Sequence, residues 1–449
     1  MTSPDSSAPA ACDAPRPGAP SFGEAFRFWL KLGFISFGGP TGQIAIMHTE
    51  LVERRRWISE ARFVHALNYC MLLPGPEAQQ LATYVGWLLH KTRGGLAAGV
   101  LFVLPSAMLL WILAYVYCAH GDVPWIAAVF LGMKPVVMAV VAFAVLRIGK
   151  KVLKNPAMWT IAAAAFVAIY WGGVPFPAIV AAAAAIGLLG DHVAPRTFRV
   201  LAAHGGGATG RAAIDDHDPP PAHARRSWAR ALVTLAVCGG LWAAPIAVST
   251  RVLGADHVVT QEGVFFSQAA VVTFGGAYAV LPYIATHAVR DARWIESGQM
   301  MDGLALAETT PGPLIMVVQF VGFVAGWRHP GELSPIAAAT LGAAITTWCT
   351  FVPCFLYIFL GAPFIEQLRN RPRLTAMLSA ITAAVVGVVL NLAVWFAAHV
   401  VAPRPGTVDI GAIAVGLAAF VALHRYKVEM IPVIACGAAY GLVRLLIAG

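Results

Sequence analysis

The sequence predicts an all-α integral membrane protein with about 13 transmembrane helices, in two homologous halves that are inverted relative to each other. Three observations predict this class. The composition is too apolar for a soluble chain, and long apolar runs follow one another along the sequence. In addition, one series of Phe-Gly-Gly, Trp-Ile and Pro-Gly-Pro motifs occurs twice, and its Gly and Pro residues interrupt the helices that carry it.

The composition indicates that lipid surrounds most of the chain. Of its 449 residues, 59% are hydrophobic and only 12% are charged, whereas a soluble domain carries roughly 25% charged residues. The net charge of +9 lies mostly in short segments between apolar runs, which is typical of membrane topology and argues against nucleic-acid binding. The Cys and His residues show no metal-ligand spacing, so we expect no metal and no cofactor.

Apolar runs and polar segments divide the chain into five parts. We expect a disordered tail at residues 1–21, an N-terminal repeat at 22–190, a polar cytoplasmic linker at 191–228, an extra transmembrane helix at 229–251 and a C-terminal repeat at 262–449. The spans are predicted near residues 22–48, 63–90, 95–118, 124–147, 157–172, 174–190, 230–250, 262–287, 299–326, 334–361, 374–400, 408–424 and 430–447.

The repeat is visible in the sequence itself, at an offset of 237 residues (274 against 37). The matching motifs are Phe37-Gly38-Gly39 with Phe274-Gly275-Gly276, Trp57-Ile58 with Trp294-Ile295, and Pro74-Gly75-Pro76 with Pro311-Gly312-Pro313. Pro105 and Pro353 extend the match at a slightly larger offset. The two halves are therefore homologous.

Loop charge predicts how the halves are oriented. With the N-terminus in the cytoplasm, the extra helix at 229–251 turns the second half over, and the cytoplasmic loops then hold most of the Lys and Arg residues. Arg54, Arg55 and Arg56 are the exception, because this count places them outside. They form an electrostatic funnel for anions, or bind lipid phosphates, or are cytoplasmic because 22–48 is re-entrant. The last alternative reverses all later spans unless 63–90 is re-entrant as well.

The interrupted helices are the predicted substrate path. Pro removes a helical hydrogen bond and Gly permits turns, so the helix stops and restarts at each motif and leaves free N–H groups that suit an oxyanion. Interrupted helices at matching places in inverted repeats indicate a transporter's binding site. The alternative is that the motifs are kinks and close-packing glycines without a ligand. Asn391 and Gln319 are interpreted as interhelical hydrogen-bonding residues.

Charged residues near the breaks differ between the halves. Glu77 follows the first Pro-Gly-Pro and Glu308 precedes the second, and each is a candidate proton carrier or a hydrated interfacial residue. Lys134 lies within a span, where a Lys costs about 2.5–3.5 kcal/mol. It is interpreted as an anion-binding charge, as the partner of Glu77, or as a side chain that extends to the interface. Its second-half counterpart is Ala383.

These motifs resemble the chromate ion transporter family, in particular its long-chain, two-domain members. The resemblance rests on Phe34 to Pro40, Glu53 to Ile58, Leu73 to Gln80, Thr273 to Gly276 and Thr310 to Pro313, and covers roughly residues 22–447. It implies proton-driven export of chromate from the bacterial cytoplasm, with sulfate as competitor. The implied functional residues are Phe37, Gly38, Gly39, Pro40, Arg56, Pro74, Gly75, Pro76, Glu77, Gln79, Gln80, Gly275, Gly276, Pro311, Gly312 and Pro313.

We add Gln43, Lys134 and Phe274 to the predicted path. The second copy has Ala277 where the first has Pro40, and Leu314 where the first has Glu77, so we do not expect equal roles for the halves. We expect a multi-pass protein of the bacterial inner membrane, with chromate, protons and lipid as partners and a homodimer as its assembly. A sulfate transporter and a passive anion channel are the alternatives. A membrane-embedded reductase would need a redox motif, and the sequence carries none.

Overall fold

The computed structural model describes residues 18–37, 39–200, 212–214, 227–364, 372–402 and 407–448. Secondary structure in these residues is helical except for one isolated parallel bridge between Ile58 and Ile214. The all-α membrane class is confirmed. Among the described helices, seven are long and apolar enough to cross a membrane, and shorter apolar helices accompany them.

The described α-helices are numbered in chain order. They are α1 Phe22–Ile35, α2 Gly39–His48, α3 Glu60–Cys70, α4 Glu77–His120, α5 Pro124–Val152, α6 Pro156–Tyr170, α7 Phe176–Val193, α8 Pro195–Phe198, α9 Trp228–Val252, α10 Val258–Val272, α11 Ala277–Ala285, α12 Ser297–Thr309, α13 Val317–Arg328, α14 Pro335–Gly361, α15 Pro372–Val401, α16 Ile410–His424 and α17 Met430–Ala448. Short π-helical turns, Thr49–Arg54 and Thr286–Asp291, follow α2 and α11.

Helix α4 contains a reversal of the chain. His90 and Lys91 leave helical geometry, and Lys91 has φ +57°. An added Cβ on Gly86 would lie 2.6 Å from the Cβ of Ala98, and one on Gly99 would contact Oγ1 of Thr83. Residues on either side of the turn therefore pack against each other, so α4 is two antiparallel helices. We call them α4a (residues 77–89) and α4b (residues 92–120).

The first motif-bearing segment folds back on itself. Trp57 and Phe28 have ring centroids 5.2 Å apart, and the Arg55 guanidinium lies 5.0 Å from the Phe28 centroid. If α2 continued straight on from α1, its end would lie more than about 30 Å from Phe28, at 1.5 Å per helical residue. Helices α1 and α2 are therefore a re-entrant hairpin whose tip lies between Ile35 and Gly39.

The other three motif-bearing segments have the same form. Helices α3 and α4a form the second hairpin, which ends at His90, where the ring contacts the Pro20 carbonyl oxygen at 2.9 Å. In the second half, the ring centroids of Phe265 and Trp294 lie 5.8 Å apart, so α10 and α11 form the third hairpin. Arg328, at the end of α13, donates to Glu296, just before α12, at 2.9 Å. Helices α12 and α13 therefore form the fourth.

These hairpins change the predicted topology. The segments predicted as spans at 22–48, 63–90, 262–287 and 299–326 are half-length helices that return to the face they entered, so the count of thirteen is not confirmed. The reason is that the Gly and Pro residues at each break end the entering helix and turn the chain back, as the Phe28–Trp57 contact shows for the first segment. Nine described helices remain, in the order α4b, α5, α6, α7, α9, α14, α15, α16 and α17; seven of them are long and apolar enough to cross a membrane, whereas α6 and α16 have 15 residues each. The odd helix α9 places the second set of hairpins on the opposite face from the first.

The predicted linker is partly ordered. Helix α7 continues to Val193 and α8 follows it, with Asp191 bonded to Arg199 at 2.6 Å, so residues 191–198 belong to the helical body. Residues 212–214 pair with residues 56–59. Of the predicted disordered tail, residues 18–21 are described, and Ser21 caps α1 through a capping box with Glu24. The rest of the tail lies outside the described residues.

Candidate functional site

The tips of all four hairpins meet in the interior of the molecule. The Gly75 N–H donates to the Thr273 carbonyl oxygen at 2.7 Å, and the Gly312 N–H donates to the Ser36 carbonyl oxygen at 2.8 Å. Gly312 is the repeat counterpart of Gly75, and Thr273 is the counterpart of Ser36. The two bonds are therefore related by the repeat, and each connects one half to the other.

The glycines are required at these tips. Gly75 has φ +115° and Gly312 has φ +110°, conformations that a residue with a Cβ adopts only under strain. A Cβ on Gly75 would lie 2.8 Å from Sγ of Cys354, and one on Gly312 would lie 2.8 Å from Oγ of Ser106. Cys354 and Ser106 directly follow the paired prolines Pro353 and Pro105. Helices α14 and α4b thus contact the tip glycines of the opposite half.

Four helices begin at these tips. Helix α2 starts at Gly39, α4a at Glu77 and α11 at Ala277, and α13 starts at Val317 after the 3-10 turn Leu314–Met316. The N-cap residues of α4a, α11 and α13, which are Pro76, Gly276 and Met316, make no side-chain capping hydrogen bond. Because the first N–H groups of a helix lack intrahelical acceptors and carry partial positive charge, their convergence forms a setting for an anion.

Three buried glutamines lie beside the tips. Gln43 donates from Nε2 to the carbonyl oxygens of Gly312 at 2.5 Å and Ser36 at 3.2 Å. Gln80 donates to the Pro74 carbonyl oxygen at 2.7 Å, and Gln79 donates to Oγ1 of Thr83 at 3.2 Å. All three are fully buried, and their Oε1 atoms have no hydrogen-bond partner in the described part of the chain. Buried polar atoms normally have partners, so these amides leave hydrogen-bonding capacity at the site.

The two predicted carboxylates both lie near the centre. Oε1 of Glu77 would be 3.7 Å from a Cβ on Gly276, so Glu77 bridges the start of α4a and the tip that precedes α11. Glu308 is buried and accepts a hydrogen bond from the Tyr278 hydroxyl. The Arg147 guanidinium lies 6.0 Å from the centroid of that tyrosine ring.

Lys134 is not the partner of Glu77. Its Nζ lies 3.6 Å from Oδ2 of Asp302, which also accepts a hydrogen bond from the Tyr117 hydroxyl at 2.9 Å. Asp302 is on α12, nearer the mouth of the fourth hairpin than its tip. That interpretation is wrong because Asp302, which the sequence reading did not consider, supplies the counter-charge.

Arg56 has a counterpart in the second half, Arg293, whereas Arg54 and Arg55 align with Asp291 and Ala292. Arg56 has φ +51° and Arg293 has φ +53°, and each follows a π-helical turn and precedes Trp-Ile. Both side chains are exposed at the mouths of hairpins, away from the tips. Residues 212–214 lie against Arg56, so the triplet is on the linker's face, as the re-entrant alternative requires.

The remaining predicted residues lie at or beside the tips, except for Gly38, which is outside the described residues. Phe37, Pro40, Pro74, Phe274 and Gly275 are partly buried there. Gly39, Pro76, Gly276, Pro311 and Pro313 are buried. Gln319, predicted as an interhelical hydrogen-bonding residue, donates to the Ala107 carbonyl oxygen at 2.7 Å.

One further buried carboxylate escaped the sequence reading. Glu262 on α10 is fully buried, and neither of its side-chain oxygens has a hydrogen-bond partner in the described residues. Its repeat counterpart is Ala25. Comparing the two copies for charges present in only one of them would have found it, as it found Lys134. The described residues contain no group of His, Cys, Asp and Glu that would hold a metal ion.

Comparison with known proteins identifies relatives of both halves. A family model described as chromate transporter matches residues 23–188 and 261–442. A chromate transport protein of Pseudomonas aeruginosa is 32% identical over 435 residues, which cover 94% of this chain and 92% of the relative. One of Cupriavidus metallidurans is 28% identical over 415 residues, covering 92% and 90%. An uncharacterized transporter of Bacillus subtilis is 31% identical over 129 residues, which are 29% of this chain and 72% of the relative. No solved structure matches.

Proposed function

Because the chain belongs to the chromate transporter family, we propose that it is a secondary transporter that exports chromate across the bacterial inner membrane, driven by the proton-motive force. The names of the relatives support transport, with chromate as the substrate, and not an enzymatic reaction. The single observation that carries a binding site for this anion is the meeting of four helix N-termini at paired glycine tips.

The chemistry of that centre suits a tetrahedral oxyanion. Helix N-termini supply N–H donors and partial positive charge without a fixed cation, so the anion is held but can leave. Glycine allows the backbone to approach the anion closely. The amides of Gln43, Gln79 and Gln80 are buried beside the tips and add polar groups. We propose these glutamines, the tip glycines and the flanking prolines as the substrate path.

The two opposed sets of hairpins fit alternating access. In transporters with inverted repeats, one repeat moves against the other around a site at the membrane midplane. Here each half inserts its hairpins from its own face, and the halves are joined at the centre by the bonds of Gly75 and Gly312. Glu77 and Glu308 lie next to this junction and are the proposed proton carriers. Passive conduction and a preference for sulfate are the alternatives.

Transport of labelled chromate into everted membrane vesicles tests the proposal. We expect uptake that depends on the proton gradient, collapses with an uncoupler and falls when sulfate is added. Membranes without the protein are the blank. Uptake that persists after uncoupling would indicate a channel. Faster uptake of labelled sulfate than of labelled chromate would make sulfate the substrate. Absence of uptake of either anion would refute transport at this site.

A further inference from the structure

The two halves carry equivalent clefts at the mouths of their hairpins, on opposite faces. In the second half the cleft is a cavity of about 450 Å³, lined by Arg293, Ile295, Glu296, Gly298 and Arg328 among others. The offset of the repeat maps these residues onto Arg56, Ile58, Ser59, Ala61 and Lys91. Arg56 and Arg293 have the same left-handed backbone conformation, with φ +51° and +53°, and each follows a π-helical turn.

In the first half, a short segment of the linker lies in this cleft. The Ala213 N–H donates to the Arg56 carbonyl oxygen at 2.9 Å, and the Ile214 N–H donates to the Trp57 carbonyl oxygen at 3.1 Å. In return, the Ser59 N–H donates to the Ile214 carbonyl oxygen at 3.1 Å. These bonds form the parallel bridge between Ile214 and Ile58. We call residues 212–214 the strap.

The strap changes what solvent reaches. Ser59 is only 9% exposed, whereas its counterpart Glu296, in the open cleft, is exposed. Ala212 is 2% exposed, and Ile214 packs against the core. The strap therefore fills a position that its twin leaves open. The contacts of the strap include three backbone hydrogen bonds and two apolar side chains. A hydrogen bond contributes only about 1 kcal/mol net, so an attachment of this kind is able to release.

We propose that the strap closes the entrance to the substrate path on the linker's face and must leave the cleft for an anion to pass. The effect of the strap on anion passage rests on the proposed function, whereas its pairing with residues 56–59 does not. The strap makes the linker an intramolecular ligand of the first half, paired with residues 56–59 through backbone hydrogen bonds. Its counterpart entrance, at Arg293 and Arg328, has no such cover in the described residues.

A reversible lock tests the proposal. In the double variant Ile58→Cys/Ile214→Cys the new thiols stand on bridge partners, whose Cα atoms lie within the range that a disulfide spans. We expect oxidation to lower the initial rate of chromate uptake into everted vesicles by about tenfold or more, and a reductant to restore it. Each single cysteine variant, treated identically, controls for other thiols. A locked protein that transports at the rate of its reduced form overturns the proposal.

A labelling measurement tests the strap without relying on transport. The Ser59→Cys variant is treated with a membrane-impermeant maleimide that is added from the linker's face. Peptide mass distinguishes modification of this cysteine from modification of the native cysteines. Adding Ala213→Pro and Ile214→Pro removes the two strap donors, so we expect labelling about tenfold faster, whereas Ile214→Val keeps the donor and leaves the rate unchanged. Equal labelling with and without the prolines overturns the strap. If the parent protein showed no chromate uptake, only the proposed function would be contradicted, because the labelling result does not depend on transport.

Discussion

At the scale of single residues, backbone conformation and burial decide what each position tolerates. Gly75 and Gly312 combine positive φ with N–H donors that bond to the opposite half, so their roles are backbone roles. Lys134 and Asp302 are instead an ion pair of a partly buried lysine and a buried carboxylate, held with Tyr117 between α4b, α5 and α12. The glycines were predictable from the sequence because a repeated Gly next to Pro is a local signal. The ion pair was not, because its members lie far apart in the chain.

Gly75→Ala is expected to abolish chromate uptake. The new Cβ would face Sγ of Cys354 at 2.8 Å and Nε2 of Gln80 at 2.9 Å, in a conformation that alanine adopts only under strain. Gly240→Ala on α9 is the matched control, because nothing lies within 4 Å of a Cβ there. Uptake in everted vesicles, normalised to the amount of inserted protein, is the measurement. A Gly75→Ala variant as active as Gly240→Ala would show that the tip does not need glycine.

Lys134→Met is expected to destabilise the protein by about 3–5 kcal/mol, because it leaves the Asp302 carboxylate buried without its cation. Adding Asp302→Asn removes the orphaned charge and should recover most of that loss. Unfolding in detergent, followed by tryptophan fluorescence, compares the two variants with the parent protein. If the double variant were no more stable than Lys134→Met, the ion pair would not be the reason for the lysine.

At the scale of elements, the breaks were predicted but the direction of the chain after them was not. A run such as 22–48 has the length and apolarity of one interrupted span, and the sequence left re-entry of 22–48 and 63–90 as one alternative among three. Only tertiary contacts, such as Phe28 with Trp57, show that each segment returns. Re-entry places Arg54–Arg56 and Arg62 on the linker's face and Arg290 and Arg293 on the other. The positive-inside imbalance therefore increases, and the triplet is no longer an exception.

Arg54→Cys is expected to react with an impermeant thiol reagent only from the linker's face. The Arg54 side chain is 69% exposed and its pair with Glu50 is a surface salt bridge, so replacing it costs little stability. Arg251→Cys, at the end of α9, should react only from the opposite face. Labelling of intact spheroplasts against everted vesicles makes the comparison. Reaction of both cysteines from one face would contradict the re-entrant hairpins.

At the scale of the whole molecule, the halves share a backbone plan but not their charges. Glu77 and Arg55 have no acidic or basic counterpart in the second half, and Glu262 and Glu308 have none in the first. The central bonds follow the repeat, whereas the ionisable groups break it. Such a division fits a transporter in which the symmetric backbone undergoes the conformational change, whereas the asymmetric side chains select the anion and couple its transport to protons. The homology of the halves was predictable from the motif order, and their inversion from the extra helix and the loop charge, but the depth of each carboxylate was not.

Glu308→Gln is expected to separate chromate movement from the proton gradient. The amide keeps the shape and the contact with Tyr278 but cannot exchange a proton. Uptake driven by a chromate gradient should persist, whereas stimulation by an imposed pH gradient should be lost. Glu429→Gln, at an exposed position between α16 and α17, is the control and should retain coupling. If Glu308→Gln retained coupling, the proton carrier would be Glu77 or Glu262 instead. The variants Glu77→Gln and Glu262→Gln test these two residues in the same way.

The reciprocal bonds at the hairpin tips also constrain biosynthesis. When the first half has left the ribosome, the acceptor for the Gly75 N–H, the carbonyl of Thr273, has not yet been made. Lipid offers no substitute acceptor. The Gly75 N–H of the first half therefore lacks its acceptor until the second half inserts from the opposite face. Its hairpins become fully seated late, after translation of most of the chain. A relative that consists of one half only would face the same unmet bond, and a second copy inserted upside down would satisfy it.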